Sequence, residues 1–286
     1  MTEETGFLRS PLAGLTFSLA GPGRVGTSLS AWLEAAGAER VATAGRSGIP
    51  GLETAGQDLL LVAVPDTVLR EVAAGLARRP QAAVVLHTSG NLDASALAPL
   101  REAGPKTGSL HPLKAFPRPL PDPAEAKGVF FAVDGDPEAS ALAHRIAAAW
   151  GGTSAEVSPE ARPLYHFAAT LSAGGAVTVL ALAEDLGRRL GLPEEAIRGY
   201  LELCRGAVAQ AVATGAPAAV LTGPAARGDR ATVAGHLEAL GRLAPDRLPL
   251  VRELARETLR QRERLGELTA EQRELADSLE SSKIIP

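Results

Sequence analysis

Short apolar runs alternate with segments of helical periodicity along the first half of the chain. A continuous run such as 58–64 is typical of a strand that is buried on both faces of a parallel sheet. After the first run, apolar residues recur at helical spacing until Gly37 ends the pattern. The runs predict strands at 15–20, 40–44, 58–64, 82–86, 106–110 and 129–133. With a further helix predicted at 137–150, the pattern indicates an α/β domain.

The character of the sequence changes at 155–160. Strand-like runs disappear there, and helical patterns continue towards the C-terminus. A chain of 286 residues is long enough for two domains. We therefore expect an α/β domain over 1–157 and an all-α domain over 158–286.

The first predicted strand leads directly into a glycine motif, G-x-G-x-x-G. The motif consists of Gly21, Pro22, Gly23, Arg24, Val25 and Gly26. Gly21 permits a tight turn, Gly23 lets a pyrophosphate approach the backbone, and Gly26 lets the following helix pack closely on the strand. In this context the motif predicts a dinucleotide site, with a structural turn that binds no phosphate as the alternative. We expect Val64 and Pro65, at the end of the strand 58–64, to lie beside the same cofactor.

The second predicted strand ends at Gly45, Arg46 and Ser47. In NAD-binding domains an acidic residue about twenty positions after the glycine motif binds the ribose 2′-hydroxyl. Arg46 stands at that distance with no acid beside it, and a guanidinium can pair with a 2′-phosphate. The spacing favours NADP(H) over NAD(H), and the alternative is an arginine on a solvated loop.

Composition and charge limit the classes of partner. The chain is 45% hydrophobic, its formal net charge is -4, and acidic residues alternate with basic ones over 252–273, which argues against a nucleic-acid partner. Cys204 is the only cysteine and no export signal is evident in 1–14, so we expect a cytoplasmic protein. A small molecule is the better expectation for a partner, and no spacing of metal ligands is evident.

The segment 167–183 carries no charge, but it consists mainly of Ala, Gly, Ser and Thr. It falls short of the ~20 strongly apolar residues that a membrane span needs. We expect a helix that is buried inside the domain or in a dimer. Together with an apolar stripe after Leu248, this predicts a homodimer.

Polar residues follow two of the predicted strands. His87, Ser89 and Gly90 come after 82–86, and His111 and Lys114 come after 106–110. Because ligands bind outside the carboxyl ends of such strands, these positions predict contacts with the nicotinamide or the substrate. Histidine is suited to proton transfer near neutral pH, and we rank His111 first, ahead of His87 and His166. An ordinary loop or capping histidine is the alternative for each.

These motifs, together with Thr222-Gly-Pro-Ala-Ala-Arg-Gly-Asp229 and the trailing Thr232 and His236, resemble a specific family. The family consists of bacterial proteins that pair a Rossmann-like domain with the C-terminal domain of unknown function 2520. The sequence is more remotely similar to pyrroline-5-carboxylate reductases, deazaflavin-dependent NADP oxidoreductases, ketopantoate reductases, and the 6-phosphogluconate and β-hydroxyacid dehydrogenases. The resemblance implies a Rossmann domain, a mainly helical dimerisation domain like that of 6-phosphogluconate dehydrogenase, and an active site in the cleft between them.

The sequence departs from that pattern in one respect. β-Hydroxyacid dehydrogenases carry a catalytic lysine, and related proteins often an asparagine, on the first long helix of the second domain, but 166–178 contains neither. The leading hypothesis is an NADP-dependent oxidoreductase that acts on a small carboxylated oxo- or imino-compound, with a ketopantoate-like keto acid as one option. The alternative is a non-catalytic protein that binds NADP(H) as a sensor or regulator.

The second domain contributes further candidates for substrate binding, and Arg227 has two interpretations. With Thr222 it could bind a substrate carboxylate, or it could pair with Asp229, which would cap a helix. His236 lies on a periodic helix, where it could serve the substrate cleft or the packing of the domain.

Overall fold

The computed structural model describes residues 10–79 and 81–280, and it divides into two compact units, Met1–Gly175 and Ala176–Pro286. We describe each unit by itself.

The first unit is built on a seven-stranded sheet with the order β2-β1-β3-β4-β5-β6-β7. Its strands are β1 (Thr16–Ala20), β2 (Glu39–Ala44), β3 (Leu59–Val62), β4 (Val84–His87), β5 (Lys106–Pro112), β6 (Phe130–Gly135) and β7 (Thr153–Glu156). The strands β1 to β5 are parallel, whereas β6 and β7 run in the opposite direction, because β6 pairs antiparallel with β5 and parallel with β7. All four residues of β3 and of β4 are buried, as the apolar runs predicted.

Helices cover both faces of this sheet. They are α1 (Arg24–Ala35), α2 (Asp66–Leu76), α3 (Ala98–Glu102), α4 (Pro137–Ala149) and α5 (Arg162–Thr170), and a π-helical turn (Leu171–Gly175) follows α5. Successive residues of β3 point to opposite faces, so Leu59 and Leu61 pack with α1 and α4, whereas Leu60 and Val62 pack with α2 and α3. The α/β fold predicted from the sequence is confirmed, with two additions that the apolar pattern did not predict: β7, which is short and largely exposed, and the helical stretch that ends in α3.

The second unit is helical. Its helices are α6 (Ala176–Arg189), α7 (Glu194–Thr214), α8 (Pro224–Arg227), α9 (Arg230–Leu243), α10 (Leu248–Glu263) and α11 (Ala270–Glu280). A small core joins α9, α10 and α11 and consists of Val233, Leu237, Leu259, Leu275 and Leu279. The strands end at Glu156, close to the predicted change at 155–160, but contacts group α5 with the sheet, so the compact units divide after Gly175.

The uncharged segment 167–183 is not buried within its own chain, which corrects the first of the two expectations for it. It lies in the helical segment Arg162–Arg189, which is long and apolar enough to cross a membrane by length and composition, and none of its most apolar window is buried. The apolar stripe after Leu248 is partly buried and partly exposed. Leu259 is buried in the core of its own unit, while Leu254 and Leu265 are exposed.

Candidate functional site

A groove of about 1190 Å³ lies at the carboxyl ends of β1 and β3. Because β1 lies between β2 and β3, the strand order reverses at this point, and such switch points are where open α/β sheets bind ligands. Six of the predicted cofactor residues line the groove, which runs along α2, and five of them lie at the strand ends: Gly21, Pro22, Gly23, Val64 and Pro65. Arg46 lines it as well.

The glycine motif forms the turn that the sequence predicted. Gly21 has a φ of +96°, and a Cβ there would lie 2.5 Å from the carbonyl oxygen of Ala63, so no larger residue fits. A Cβ on Gly26 would meet the carbonyl oxygen of Gly21 and lie 3.1 Å from the Cβ of Ala63, which explains how α1 packs closely on the strands. Gly23 differs, because nothing lies within 4 Å of a Cβ built on it.

Gly23 is also the N-cap of α1, so the open space beside it adjoins the N–H groups of the first helical turn. Those groups have no partner inside a helix, and the helix dipole favours an anion there. An open cradle, unpaired donors and a positive dipole end fit the pyrophosphate of a dinucleotide. The residues present therefore suit the cofactor that the motif predicted.

The side chains around the cradle divide into two groups. Arg46 and Ser47 are exposed, and Arg46 has no ion-pair partner among the described residues. Arg24 instead donates a hydrogen bond to the carbonyl oxygen of Pro117 (3.4 Å), and Val25 packs against the core. These two side chains therefore contact the protein itself, whereas their backbone N–H groups belong to the first turn of α1.

Two arginines that line the groove were missed by the sequence analysis. Arg78 and Arg79 follow α2 and line the groove, and Arg79 also pairs with Glu53 (3.0 Å). No local motif marks them, because only the fold of α2 against the groove brings them there.

His87, the last residue of β4, is fully buried, and backbone groups contact both of its ring nitrogens. The N–H of Ser89 donates to Nδ1 (3.1 Å), so the ring proton lies on Nε2, which contacts the carbonyl oxygen of Asp93 (3.0 Å). Burial lowers the pKa of His87 to about 4, against a weaker upward effect of the Asp93 carbonyl. The ring is a neutral support for the turn that follows it.

That turn holds two predicted substrate residues. The hydroxyl of Ser89 accepts hydrogen bonds from the N–H groups of Asn91 (3.2 Å) and Leu92 (2.9 Å) and is buried, so it stabilises the turn. Gly90 is packed between two imidazole rings, since a Cβ there would lie 2.6 Å from Nε2 of His111 and 2.7 Å from Cδ2 of His166. Only glycine fits between those rings.

A buried charge cluster lies next to this turn. Arg162 at the start of α5 donates from Nη2 to Oδ1 of Asp134 (2.8 Å) and to the hydroxyl of Ser109, and from Nη1 to the carbonyl oxygen of Ser89 (3.2 Å). Ser109 is opposite Asp134 in the β5–β6 register and donates to the same carboxylate, which also accepts from the N–H of Ala94 (2.9 Å). None of the three side chains was predicted, although a polar residue within each of two apolar strands was a usable signal for Ser109 and Asp134.

His111, His166 and Tyr165 meet beside that cluster. Nδ1 of His111 lies 2.9 Å from the hydroxyl oxygen of Tyr165, and the ring centroids of His111 and His166 are 6.0 Å apart. Burial lowers the pKa of His111 to about 3, and electrostatic interactions with His166 and Arg162 add to the effect. The structure thus brings two of the three predicted histidines together and adds Tyr165, which the sequence analysis missed.

The remaining predicted substrate residues have separate environments. Lys114 pairs with Glu125 (2.8 Å). In the second unit, Asp229 caps α9, since it accepts from the N–H (3.1 Å) and the hydroxyl (2.7 Å) of Thr232. Arg227, Thr222 and His236 are exposed, and Arg227 forms no ion pair with Asp229. The prediction that Asp229 caps a helix is therefore confirmed, and the prediction that it forms an ion pair with Arg227 is wrong.

The loop that carries Arg227 is held in place by contacts with Gln272 of α11. A Cβ on Gly228 (φ +76°) would lie 2.6 Å from the backbone nitrogen of Gln272, and the side chain of Gln272 donates to the carbonyl oxygen of Ala226 (2.7 Å). The loop is thus held against α11 while the guanidinium of Arg227 remains exposed. Within the described residues, no group of three His, Cys, Asp or Glu side chains is placed to hold a metal ion.

The strand order and the glycine turn define a Rossmann-like α/β domain, and a helical region follows it. Residues 49–112 match the model of the Rossmann-like domain, and residues 129–258 match the model of the domain of unknown function 2520. Both domain models of the family that the motifs resemble therefore match parts of this chain, and the resemblance is confirmed. No curated protein matches the sequence at a significant level.

Solved structures share the fold. A protein from Bacteroides fragilis, provisionally assigned as an NADP oxidoreductase, has a TM-score of 0.68 at 20% identity, covering 85% of this chain and 97% of its own. A protein from Thermotoga maritima has a TM-score of 0.67 at 22% identity, covering 86% of this chain and 98% of its own. The pyrroline carboxylate reductase of Plasmodium falciparum with NADP bound has a TM-score of 0.51 at 13% identity, covering 69% of this chain and 79% of its own. At these identities the likeness establishes the fold.

Proposed function

We propose that the protein is an NADP(H)-dependent oxidoreductase that transfers hydride to or from a small carboxylated oxo- or imino-compound. The observation that carries this proposal is the groove at the switch point, in which the cradle at Gly23 opens towards the start of α1 and Arg46 lines the side. An open cradle beside unpaired N–H groups at a helix start is the arrangement in which helices bind phosphate groups.

The preference for NADP(H) rests on Arg46. An exposed guanidinium on the groove can pair with a 2′-phosphate through two parallel hydrogen bonds, and the sequence places no carboxylate next to Arg46, although Glu71 of α2 lines the same groove. The bound NADP of the P. falciparum reductase agrees with this choice. NAD(H) is the weaker alternative.

The chemistry would take place at the carboxyl ends of β4 and β5. When bound, the cofactor supplies or accepts the hydride, and the protein must then hold the substrate and move one proton. Titratable and hydroxyl side chains gather at these strand ends, where His111, Tyr165 and His166 adjoin a buried arginine. For the substrate carboxylate we propose Arg227, whose loop is rigid and whose guanidinium is exposed.

The experiment that tests this function has two stages on the unmodified protein. Calorimetric titration with NADPH and NADH measures the affinity for each cofactor, and we expect tighter binding of NADPH. A panel of 2-oxo acids and cyclic imines is then added with NADPH, and the absorbance of the reduced nicotinamide is followed. Oxidation with any compound of the panel supports an enzyme. Tight binding of NADPH without turnover on the whole panel would favour the non-catalytic sensor, and absence of binding would refute both.

A further inference from the structure

The position of His87 removes one candidate for the proton in this reaction. A proton donor must reach the substrate within hydrogen-bond distance, directly or through one water molecule. His87 is fully buried, and both of its ring nitrogens contact backbone groups of its own turn. The remaining candidates for the proton donor are His111, Tyr165 and His166.

His111 is poorly suited to give the proton itself. Its imidazole is neutral at physiological pH, because burial and electrostatic interactions with His166 and Arg162 hold its pKa near 3. A neutral imidazole has one N–H, which is a good hydrogen-bond donor but a much weaker acid than an imidazolium. In addition, Nε2 faces the backbone of Gly90, so Nδ1 is the nitrogen that has a side-chain partner, the hydroxyl of Tyr165.

Tyr165 has the properties that the donor requires. Its hydroxyl is half-buried, and burial raises its pKa, so the group carries its proton at neutral pH. The positive charge of Arg162, on the same helix, acts in the opposite direction and favours the phenolate. The net effect is a raised pKa, so Tyr165 carries its proton in the free protein, and Arg162 offsets part of the cost of forming the phenolate.

The cluster around Arg162 fixes where Tyr165 stands. The guanidinium is fully buried and is bonded to Asp134 of β6, to Ser109 of β5 and to the turn after β4. Because Arg162 is the first residue of α5, these bonds attach the start of the helix to the middle of β5, to β6 and to the turn after β4. Tyr165 follows within the first helical turn, so its hydroxyl is held where the turn at Gly90 and β5 meet.

We propose that Tyr165 is the catalytic acid, and that His111 is a positioning residue which donates a hydrogen bond from Nδ1 to the Tyr165 oxygen. This inference rests on the proposed function. As a C–H bond forms at the substrate carbon with the hydride and its electron pair, the π electrons of the C=O or C=N bond move to the oxygen or nitrogen. That atom takes the proton of Tyr165, whose O–H bond breaks, and the phenolate accepts the hydrogen bond of His111 until water returns a proton. In the reverse direction the phenolate removes the proton.

The first test determines which nitrogen of His111 carries the proton, and it needs neither cofactor nor substrate. Nitrogen-15 spectra of the full-length protein at neutral pH distinguish the two neutral forms of histidine, and loss of the signal in a His111→Asn variant identifies His111 among the five histidines. We expect a proton on Nδ1 and none on Nε2. A proton on Nε2 would make Tyr165 the donor to His111, so that its proton would not point to a substrate, and the proposal would be overturned.

The second test compares the two tyrosines of the chain, Tyr165 and Tyr200. Tyr165→Phe should lower turnover by ~10²–10⁴-fold, the usual contribution of a general acid, and should leave NADPH affinity unchanged. Tyr200→Phe, on α7, makes the same chemical change and should leave both unchanged. Full turnover in Tyr165→Phe would overturn the assignment, whereas a failure of the proposed function is visible earlier, in the unmodified protein.

Two variants of His111 separate hydrogen bonding from packing. The side-chain amide of Asn can place an N–H close to the position of Nδ1, whereas Leu cannot donate. His111→Asn should therefore retain about tenfold more turnover than His111→Leu, with equal NADPH affinity. Equal losses in the two variants would mean that His111 only fills space, and its positioning role would be rejected.

Discussion

Arg162 and Asp134 form a buried ion pair in which Nη2 lies 2.8 Å from Oδ1 and the arginine side chain is 0% exposed. The carboxylate also accepts from Ser109 and from the N–H of Ala94, so its charge is well compensated. Removing one partner of such a pair leaves an isolated buried charge, which costs ~3–5 kcal/mol. We therefore expect Arg162→Met to lower the free energy of unfolding by that amount in urea denaturation.

A matched control is Arg205→Met, which removes an equal charge from an exposed pair with Glu202 (2.6 Å). Exposed pairs contribute ~0–1 kcal/mol, so this variant should be close to the unmodified protein. The double variant Arg162→Met/Asp134→Leu removes both charges and should recover most of the loss. If Arg162→Met were no less stable than Arg205→Met, the ion pair between Arg162 and Asp134 would not contribute to the free energy of unfolding.

The cofactor preference predicts an asymmetric effect at Arg46. Arg46→Asp replaces a group that attracts the 2′-phosphate with one that repels it, and a charge-assisted hydrogen bond contributes ~1.5–3 kcal/mol. NADPH affinity should therefore fall by at least tenfold in calorimetry, while NADH affinity should change far less. Arg145→Asp makes the same charge change on α4, away from the groove, and should leave both affinities unaltered. Equal affinities of the unmodified protein for both cofactors would contradict the role of Arg46.

The cofactor cradle was predictable from the sequence because its determinants are local. A strand, three glycines at fixed spacing and a helix start lie within one short stretch, and the backbone geometry of Gly21 and Gly26 follows from that stretch alone. Most strands were predictable for a similar reason, since burial on both faces leaves a continuous apolar run, although the edge strand β2 was predicted and is largely exposed. The exposed edge strand β7 leaves no such run and was missed.

The proton-transfer cluster was only half predictable, because its partners are distant in the sequence. His111 and Tyr165 are 54 positions apart, and Arg162 and Asp134 are 28 apart. An arginine is normally exposed, so nothing local indicates that Arg162 is buried. His87 and His111 look alike in the sequence, since both follow apolar runs, and only the turn after β4 distinguishes a structural ring from one with a side-chain partner.

The buried His87 predicts that the protein loses stability in acid. Its pKa is about 4 in the folded protein, against ~6.5 for an unfolded chain. In the unfolded chain, His87 therefore binds a proton more readily than in the folded protein. The contribution of neutral His87 to the free energy of unfolding is complete above pH 6.5 and declines as the pH falls from there to about 4. At ~1.4 kcal/mol for each unit of pKa difference, the loss is on the order of 3 kcal/mol.

The measurement is the free energy of unfolding in urea, above pH 6.5 and near pH 4. His87→Gln should be less stable at neutral pH, but it should lose less on acidification because it has no ring to protonate. His236→Gln, an exposed histidine of α9, should keep the full pH dependence of the unmodified protein. The same acid sensitivity in His87→Gln as in His236→Gln would rule out His87 as its source.

The exposed faces of α6 and α7 predict a homodimer. The two helices pack on each other, yet Gly187 is the only buried residue of α6 and Ile197 the only one of α7. Large apolar side chains along them are between 43% and 76% exposed, namely Val177, Val179, Leu201, Leu203, Val208 and Val212. Monomers rarely leave so much apolar surface in water, whereas obligate dimers bury ~2,000–5,000 Å² of total surface in interfaces that are more apolar than the rest of the protein.

Charges on the same helices favour a second copy of the chain over a membrane as the covering partner. Arg188 pairs with Glu184, Arg189 with Asp185, and Arg205 with Glu202. Each charge placed in the centre of a bilayer costs ~2.5–3.5 kcal/mol or more, whereas at the rim of a protein interface it stays hydrated. We therefore expect light scattering to give twice the chain mass at micromolar concentration, and the protein should not float with phospholipid vesicles.

Two equal substitutions locate the interface. Val212→Asp places a charge on the exposed face of α7 and should shift the protein to the monomer, because an unpaired charge would be buried in the dimer. Val41→Asp makes the same change at an exposed position of β2, at the edge of the sheet, and should leave the dimer intact. A monomeric unmodified protein would refute the dimer. A dimer that dissociates in Val41→Asp but persists in Val212→Asp would move the interface to the sheet edge.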